Sequence, residues 1–371
     1  MRIKLTFYIT LIFLSVLGQK ENKIQEELQM ILTKTVDQNK VFGTSFAIQK
    51  DSITWIGAAG NIDINQSYFI ASTTKLFTSA IVFYLFEQNK LNLEDKISKY
   101  LDNKVLKNLH VYKGKEYTQD ITIKHLLSHT SGLPDYFQDK DKNGESLEKK
   151  IVQGKDTKWS FEEAIEISKK LKPLFIPGAK NKAHYSDVNF QILGKIIEVI
   201  TKKSYVENCN EIIINPLQLK HTCLFPANEN NIPIDLYYKN KTLQIPKAME
   251  SFGADGGIVS NSVDMLIFIR AFFTGKIFPE KYIIEMQKWN KIFFPMQSGI
   301  GIHLFKLPWF FNPTGAVPNF IGHSGLSGAL AFYVPQENIF IVGTVNQIAY
   351  PDISFKTMIK LTLKFMKAIK N

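Results

Sequence analysis

Only two cysteines, Cys209 and Cys223, occur in the 371 residues, too few for a disulfide framework in a chain of this length. Whether they pair in an oxidising compartment or stay as two partly buried thiols is open from the sequence. Beyond the N-terminus no apolar run approaches the roughly 20 residues that a membrane span requires. Internal repeats and low-complexity tracts are absent. The net charge is +11, yet the lysines are spread through every segment, with no basic stripe interleaved with aromatics and no zinc-finger spacing. Nucleic acid is therefore not the expected partner. A solvated basic surface, or proximity to anionic envelope polymers or lipids, accounts for such a charge.

Two common hydrolase motifs are also missing. No G-x-S-x-G pentad occurs, since Gly322-His323-Ser324-Gly325-Leu326 fails at its last position. His125 and His129 are four apart, but no glutamate stands in H-E-x-x-H register, so a structural role is expected for both. Neither a metal nor another cofactor is called for.

What is present is the balance of a folded protein, with 45% hydrophobic and 21% charged residues. The stretch MRIKLTFYITLIFLSVLGQK has a cationic start, a short apolar run and small residues before Gln19. It reads as a secretory signal over residues 1–18, with an uncleaved anchor as the alternative, and it implies a secreted or periplasmic protein. Loss of Arg2 and Lys4 with it would take the charge from +11 to +9.

Residues 21–40 carry apolar positions at helical spacing. "GTSFAIQKDSITWIGAAG" reads as a hairpin turning at Lys50-Asp51-Ser52, and "GALAFYVPQENIFIVGTVNQ" repeats that grammar near the end. An amphipathic helix over Ile353 to Ile369 closes the chain. The middle is mostly helical, with "FEEAIEISKKL" and "VNFQILGKIIEVITKK" as its clearest segments, and the charged stretch Gln138 to Asp156 is expected to be an exposed loop. These patterns predict an α/β (α+β) fold: an antiparallel sheet built from both termini (about 19–70 and 250–371), flanked by helices, with a large mainly helical insertion (about 71–249). A cleft between the two parts is where a site belongs.

One candidate site opens "FIASTTKLFTSAIVFYLFEQNKL". Ser72 lies three residues before Lys75 at the head of an apolar helix, and on a helix such positions share a face about 5–6 Å apart. The amine is thus expected to reach the hydroxyl, with the helix N-terminus favouring an alkoxide and desolvation favouring a neutral, basic lysine. A second S-x-x-K, Ser146 to Lys149, lies in the charged stretch without an apolar helix behind it and reads as chance. Tyr185-Ser186-Asp187 precedes another helix, and His323-Ser324-Gly325 leads into a strand whose glycines signal close approach of a backbone or ligand.

In this order these elements resemble the serine β-lactamase and penicillin-binding protein family, in the branch of class C β-lactamases, D-alanyl-D-alanine carboxypeptidases and related esterases. "LLSHTSGLPDY" and "FGADGGIVSNSVDM" look like further signatures of that branch, and the resemblance runs from about Glu21 to the end. It implies that Ser72 is acylated by an amide or ester substrate, that Lys75, alone or with Tyr185, takes its proton, and that Tyr185 relays a proton to the leaving group. The N–H groups of Ser72 and Leu326 would form an oxyanion hole. Asp187, His323, Ser324 and Gly325 would bind substrate.

The function so implied is a serine hydrolase, a D-alanyl-D-alanine-type peptidase or esterase of the bacterial envelope, expected as a monomer. Alternatives are a β-lactamase proper and a non-catalytic penicillin-binding or sensor protein. Asp187 stands where the family usually has asparagine, which should hold Lys75 protonated unless Tyr185 takes over as base. His323 stands where the penicillin-recognising members have lysine. A histidine grips carboxylate substrates weakly at pH 7, and their turnover is expected to rise toward pH 6 as it gains charge.

Overall fold

The computed structural model describes residues 23–370. The expected signal segment lies outside them. Among the described residues no helix is long and apolar enough to cross a membrane.

The N-terminal hairpin forms as read: β1 (Gly43–Lys50) and β2 (Ile53–Gly60) pair antiparallel around Asp51, whose φ of 51° closes the turn. Five further strands of the sheet precede its last one: β3 (Asn290–Phe293), β4 (Met296–Ser298), β5 (His303–Phe305), β6 (Phe320–Ser324) and β7 (Ala329–Val334). The last, β8 (Ile339–Thr344), pairs with β1 in the register Ser45 to Thr344 through Lys50 to Ile339. The result is one eight-stranded sheet in the order β3-β4-β5-β6-β7-β8-β1-β2, joining the two ends of the chain. β3, β4 and β5 were not legible in the sequence.

Alternate residues of the central strands serve different cores. Phe46, Ile48, Leu330, Phe332, Val334, Ile339 and Ile341 face Leu28 and Leu32 of helix α1 (residues 23–35) and Met358, Leu361 and Phe365 of the C-terminal helix. Ala47, Ala331, Phe340 and Val342 face the opposite way, toward the helical part. Both faces are covered, so these strands read as unbroken apolar runs.

The helical part rests on α2 (Thr74–Glu87), with 11 of its side chains buried. Beside it run α3 (Val188–Thr201) and α4 (Ser262–Phe273), and α5 (Pro351–Lys370) is the C-terminal helix of the other face. Phe77 of α2 stacks on Phe268 of α4 with ring centroids 3.7 Å apart, and α4 lies against β1, β7 and β8. That stack ties α2 to the sheet. Tyr68–Phe69, Cys223–Leu224 and Ile258–Ser260 add a small three-stranded sheet, and two short hairpins break the otherwise helical middle. Both cysteines are free, Cys209 being buried.

The stretch 138–156 departs from the reading as an exposed loop. Leu147–Val152 is helical, capped by the Ser146 side chain accepting from the Lys149 N–H, and Ile151 is buried. The second S-x-x-K is therefore an N-cap.

Phe77→Ala is expected to cost about 3–5 kcal/mol, the range for emptying a buried aromatic site. Urea unfolding measures it, and a loss below about 1 kcal/mol would contradict the coupling described.

Candidate active site

Ser72 sits in a 3-10 turn, Ala71–Thr73, ahead of α2. Ala71 is held at φ 45°, a left-handed conformation that costs a non-glycine residue on the order of 1–3 kcal/mol and is kept where surrounding structure enforces it. One enforcing contact comes from the end of β6. A Cβ on Gly325 would fall 2.4 Å from the Ile70 carbonyl oxygen, so only glycine lets this strand end lie against the serine turn. Ser327 Oγ secures the approach by donating to the Phe69 carbonyl at 2.6 Å. Among the described residues, neither the Ser72 nor the Leu326 amide N–H has a hydrogen-bond acceptor within the protein.

Lys75 is fully buried, and its amine is directed away from the expected contact. Nζ donates to Asp187 Oδ1 at 2.5 Å and to the Asp255 carbonyl at 2.6 Å. The hydroxyl of Ser72 instead accepts from Tyr185 Oη at 2.7 Å. The expectation that the lysine amine engages the serine directly is corrected here: the carboxylate at position 187 and a backbone carbonyl hold it. Lys75 lies under the phenol, with Nζ 5.0 Å from the Tyr185 ring centroid. Burial and the negative charge of Asp187 push the Tyr185 phenol well above its usual range, so it is a neutral donor and not a phenolate base.

The signature SHTSGLPDY frames this arrangement. Asp135 accepts the N–H of Asp187, Pro134 O accepts from Ser186 Oγ, and Ser131 Oγ donates to Asn189 Oδ1. His129 stacks on Tyr185 at 4.7 Å, and its Nδ1 accepts the Ser186 N–H. Tyr136 donates to Asp255, whose carboxyl is raised to about 8 by burial and by the charge of Asp187. Asp135 is raised for the same reasons. The buried site thus concentrates its charge in one pair, Lys75 and Asp187.

His323, Ser324, Gly325 and Leu326 line a cavity of about 240 Å³ together with Ser72, Tyr185 and Asp187. Its other walls are mainly apolar, among them Phe69, Val152, Ile245, Met249, Phe252 and Phe293. His303, on β5, stacks on His323 at 4.1 Å. His323 Nδ1 donates to the Ser324 carbonyl at 2.8 Å. Burial, then the neighbouring His303 and Lys75, hold His323 well below its ordinary value, and His303 falls to about 3. These causes oppose protonation of both imidazoles, which runs against the expectation that His323 gains charge toward pH 6 and draws carboxylates in. No sequence pattern singles out His303 or Glu148, whereas His129 has the structural role expected of it, under Tyr185 and the Ser186 N–H. Glu148 is a half-buried carboxyl on the cavity wall, raised by burial. Its signal was hidden in the segment read as loop.

The facing nitrogens of His129, His303 and His323 lie within 4.8 Å of one another. As a metal cage the trio does not fit. The Ser186 N–H occupies the Nδ1 lone pair of neutral His129, so its inward Nε2 carries a proton and offers no lone pair. His129 Nε2, both nitrogens of His303 and His323 Nε2 are buried without a hydrogen-bond partner among the described residues.

The Beta-lactamase family model matches residues 28–352 of this chain. Protein flp of Staphylococcus aureus (strain N315) is 27% identical over 344 residues, covering 88% of this chain and 64% of that protein. The chain thus spans less than two thirds of that relative's length. The putative penicillin-binding protein PbpX of Bacillus subtilis (strain 168) is 25% identical over 349 residues, covering 85% of this chain and 79% of PbpX. Among solved structures, a D-stereospecific amidohydrolase from Streptomyces sp. superposes with a TM-score of 0.74 at 23% identity, covering 90% of this chain and 97% of its own. The D-amino acid amidase from Ochrobactrum anthropi SV3 in complex with D-phenylalanine does so with 0.74 at 20% identity, covering 94% and 99%. These likenesses establish the shared fold.

A raised carboxyl favours the protonated folded state, so its contribution to stability is full near pH 4 and is lost as pH rises through about 8. Denaturation midpoints of the wild type are expected to fall between about pH 4 and pH 8, and to fall less in Asp255→Asn. Identical slopes in the two proteins would contradict the assignment.

Proposed function

Starting from the fact that the chain belongs to the Beta-lactamase family of serine hydrolases, we propose that Ser72 opens an amide or ester through an acyl-enzyme. The observation that carries this reading is the Tyr185 to Ser72 hydrogen bond of 2.7 Å on the wall of the cavity. When substrate enters, the phenol O–H turns to the leaving oxygen or nitrogen and the Ser72 O–H turns to Tyr185 Oη; as Ser72 Oγ attacks the substrate carbonyl, its proton passes to Oη while the phenol's own proton goes to the leaving group. The C–O bond to Ser72 forms, the bond to the leaving group breaks, and the phenol ends as it began. No phenolate has to persist, which agrees with the raised phenol.

Lys75 takes part through Tyr185. Its ammonium under the ring favours the negative charge that grows on the phenol oxygen, and Asp187 holds it in place. The free amides of Ser72 and Leu326 suit the carbonyl oxygen as it becomes an oxyanion. Water then reverses the sequence to release the acyl group.

Within this class, a D-alanyl-D-alanine-type peptidase and an esterase or amidase of the bacterial envelope are the finer readings. The D-amino acid amidase and D-stereospecific amidohydrolase among the structural relatives lend weight to a D-configured amide. His303 and His323, both held below the ordinary imidazole value, with Lys75, the one buried lysine or arginine among the described residues, paired to Asp187, favour a substrate whose tail is polar and neutral. The apolar walls favour a hydrophobic side chain or acyl group. A secreted or periplasmic monomer remains part of the proposal.

A fluorophosphonate should label the wild type and not Ser72→Ala. In a panel of short acyl ester, D-amino-acid amide, D-alanyl-D-alanine peptide and cephalosporin, the ester and amide are expected to turn over at least about 10-fold faster than the two carboxylate-bearing substrates. Absence of any label would favour the sensor reading, and preference for the carboxylates would overturn the neutral-tail argument.

A further inference from the structure

Every exposed phenylalanine and tryptophan among the described residues lies in one patch: Phe293, Phe294, Trp309, Phe310 and Phe311. Trp309 is 79% exposed, Phe294 67% and Phe311 60%. The rings are contiguous. Phe294 meets Phe311 at 6.0 Å, Phe311 meets Phe310 at 4.7 Å, and Phe310 meets Trp309 at 6.3 Å. Two loop tips carry them, the turn between β3 and β4 at the edge of the large sheet and the loop between β5 and β6. Exposing so much aromatic surface in water is unfavourable unless something covers it.

The charge around the patch says what. From residue 286 to residue 336 the chain contains Lys288, Lys291 and Lys306 and no aspartate or glutamate. All three lysines are exposed. We infer that this patch docks the protein on the surface of an anionic lipid bilayer, with the rings in the headgroup region and the lysines on lipid phosphates. Trp and Phe beside lysines is the composition suited to that interface, where rings enter the apolar boundary and amines stay with the headgroups. The rings project from loop tips, a placement that enters a bilayer surface without needing a complementary partner.

The patch is continuous with the site. Phe293 lines the cavity and meets Tyr185 at 6.3 Å. Docking through Phe294 and Trp309 therefore brings the cavity's mouth close to the lipid surface, where amphiphilic substrates concentrate. The docking itself does not rest on the hydrolase reading, because it concerns side chains outside the catalytic group.

The test is binding of the full chain to vesicles of phosphatidylglycerol or of phosphatidylcholine. The N-terminal segment is the same in every variant, so differences belong to the patch. Binding to phosphatidylglycerol is expected to be tighter. Trp309→Ser/Phe310→Ser/Phe311→Ser should weaken it at least about 10-fold while leaving hydrolysis of a soluble ester unchanged. Lys291→Gln/Lys306→Gln should remove most of the preference for the anionic lipid. Brominated lipid should quench fluorescence of the wild type more than that of Trp309→Phe, which locates insertion at this residue. Equal binding of the triple variant, or no quenching difference at Trp309, would overturn the inference. So would a wild-type dimer in sedimentation that the triple variant abolishes, since a second copy would then be the occupant.

Discussion

The buried pair between Lys75 and Asp187 is the constraint on which the site depends. At 2.5 Å, with Lys75 fully buried, neither partner can lose the other without leaving an uncompensated charge, a situation that costs on the order of 3–5 kcal/mol. The pair fixes the end of the apolar helix α2 against the start of α3. It thereby sets the position of Tyr185, two residues before Asp187, over Ser72 at the head of α2. The same ion pair excludes the lysine from direct duty at the serine. The proton traffic then falls to the phenol.

Much of the surrounding sequence is explained by what that pair requires. Asp135 holds the Asp187 backbone, Asp255 supplies a carbonyl to Lys75, and Tyr136 and Gln191 bond the Asp255 carboxyl. The Asp135 and Asp255 carboxyls are raised by burial and by the charge of Asp187, which keeps further charge out of a low-dielectric region. From the other side, Gly325 and Ser327, which flank Leu326, clamp the serine turn to the sheet. His303 and His323 complete a cavity whose wall also carries the Asp187 carboxylate, paired to Lys75 behind it.

The elements legible in the sequence were those with strong local signals. Both hairpins carried turn residues between apolar runs, and both terminal helices carried a clear amphipathic period. The three short strands that end the sheet, including His303, lacked that grammar: Met296–Ser298 and His303–Phe305 are too brief for alternation to register. Spacing brought Ser72 and Lys75 to notice, and the structure places them in a 3-10 turn and at the start of the helix that follows it. Spacing could not tell where a long flexible amine points, which depends on Asp187, 112 residues away. For His323 the sequence shows the residue type and not its surroundings, and it is burial and the stacked His303 that oppose its protonation.

The claim that the serine proton moves through the phenol is tested most directly by the rate at which Ser72 is acylated in Tyr185→Phe. With the ring retained, the stacking on His129 and the lysine below are kept, and only the hydroxyl is lost. The account predicts acylation slower by about 100-fold or more, the scale of a lost proton-transfer group, in a variant that melts within a few degrees of the wild type. Acylation at the wild-type rate would contradict it and return the role of base to Lys75.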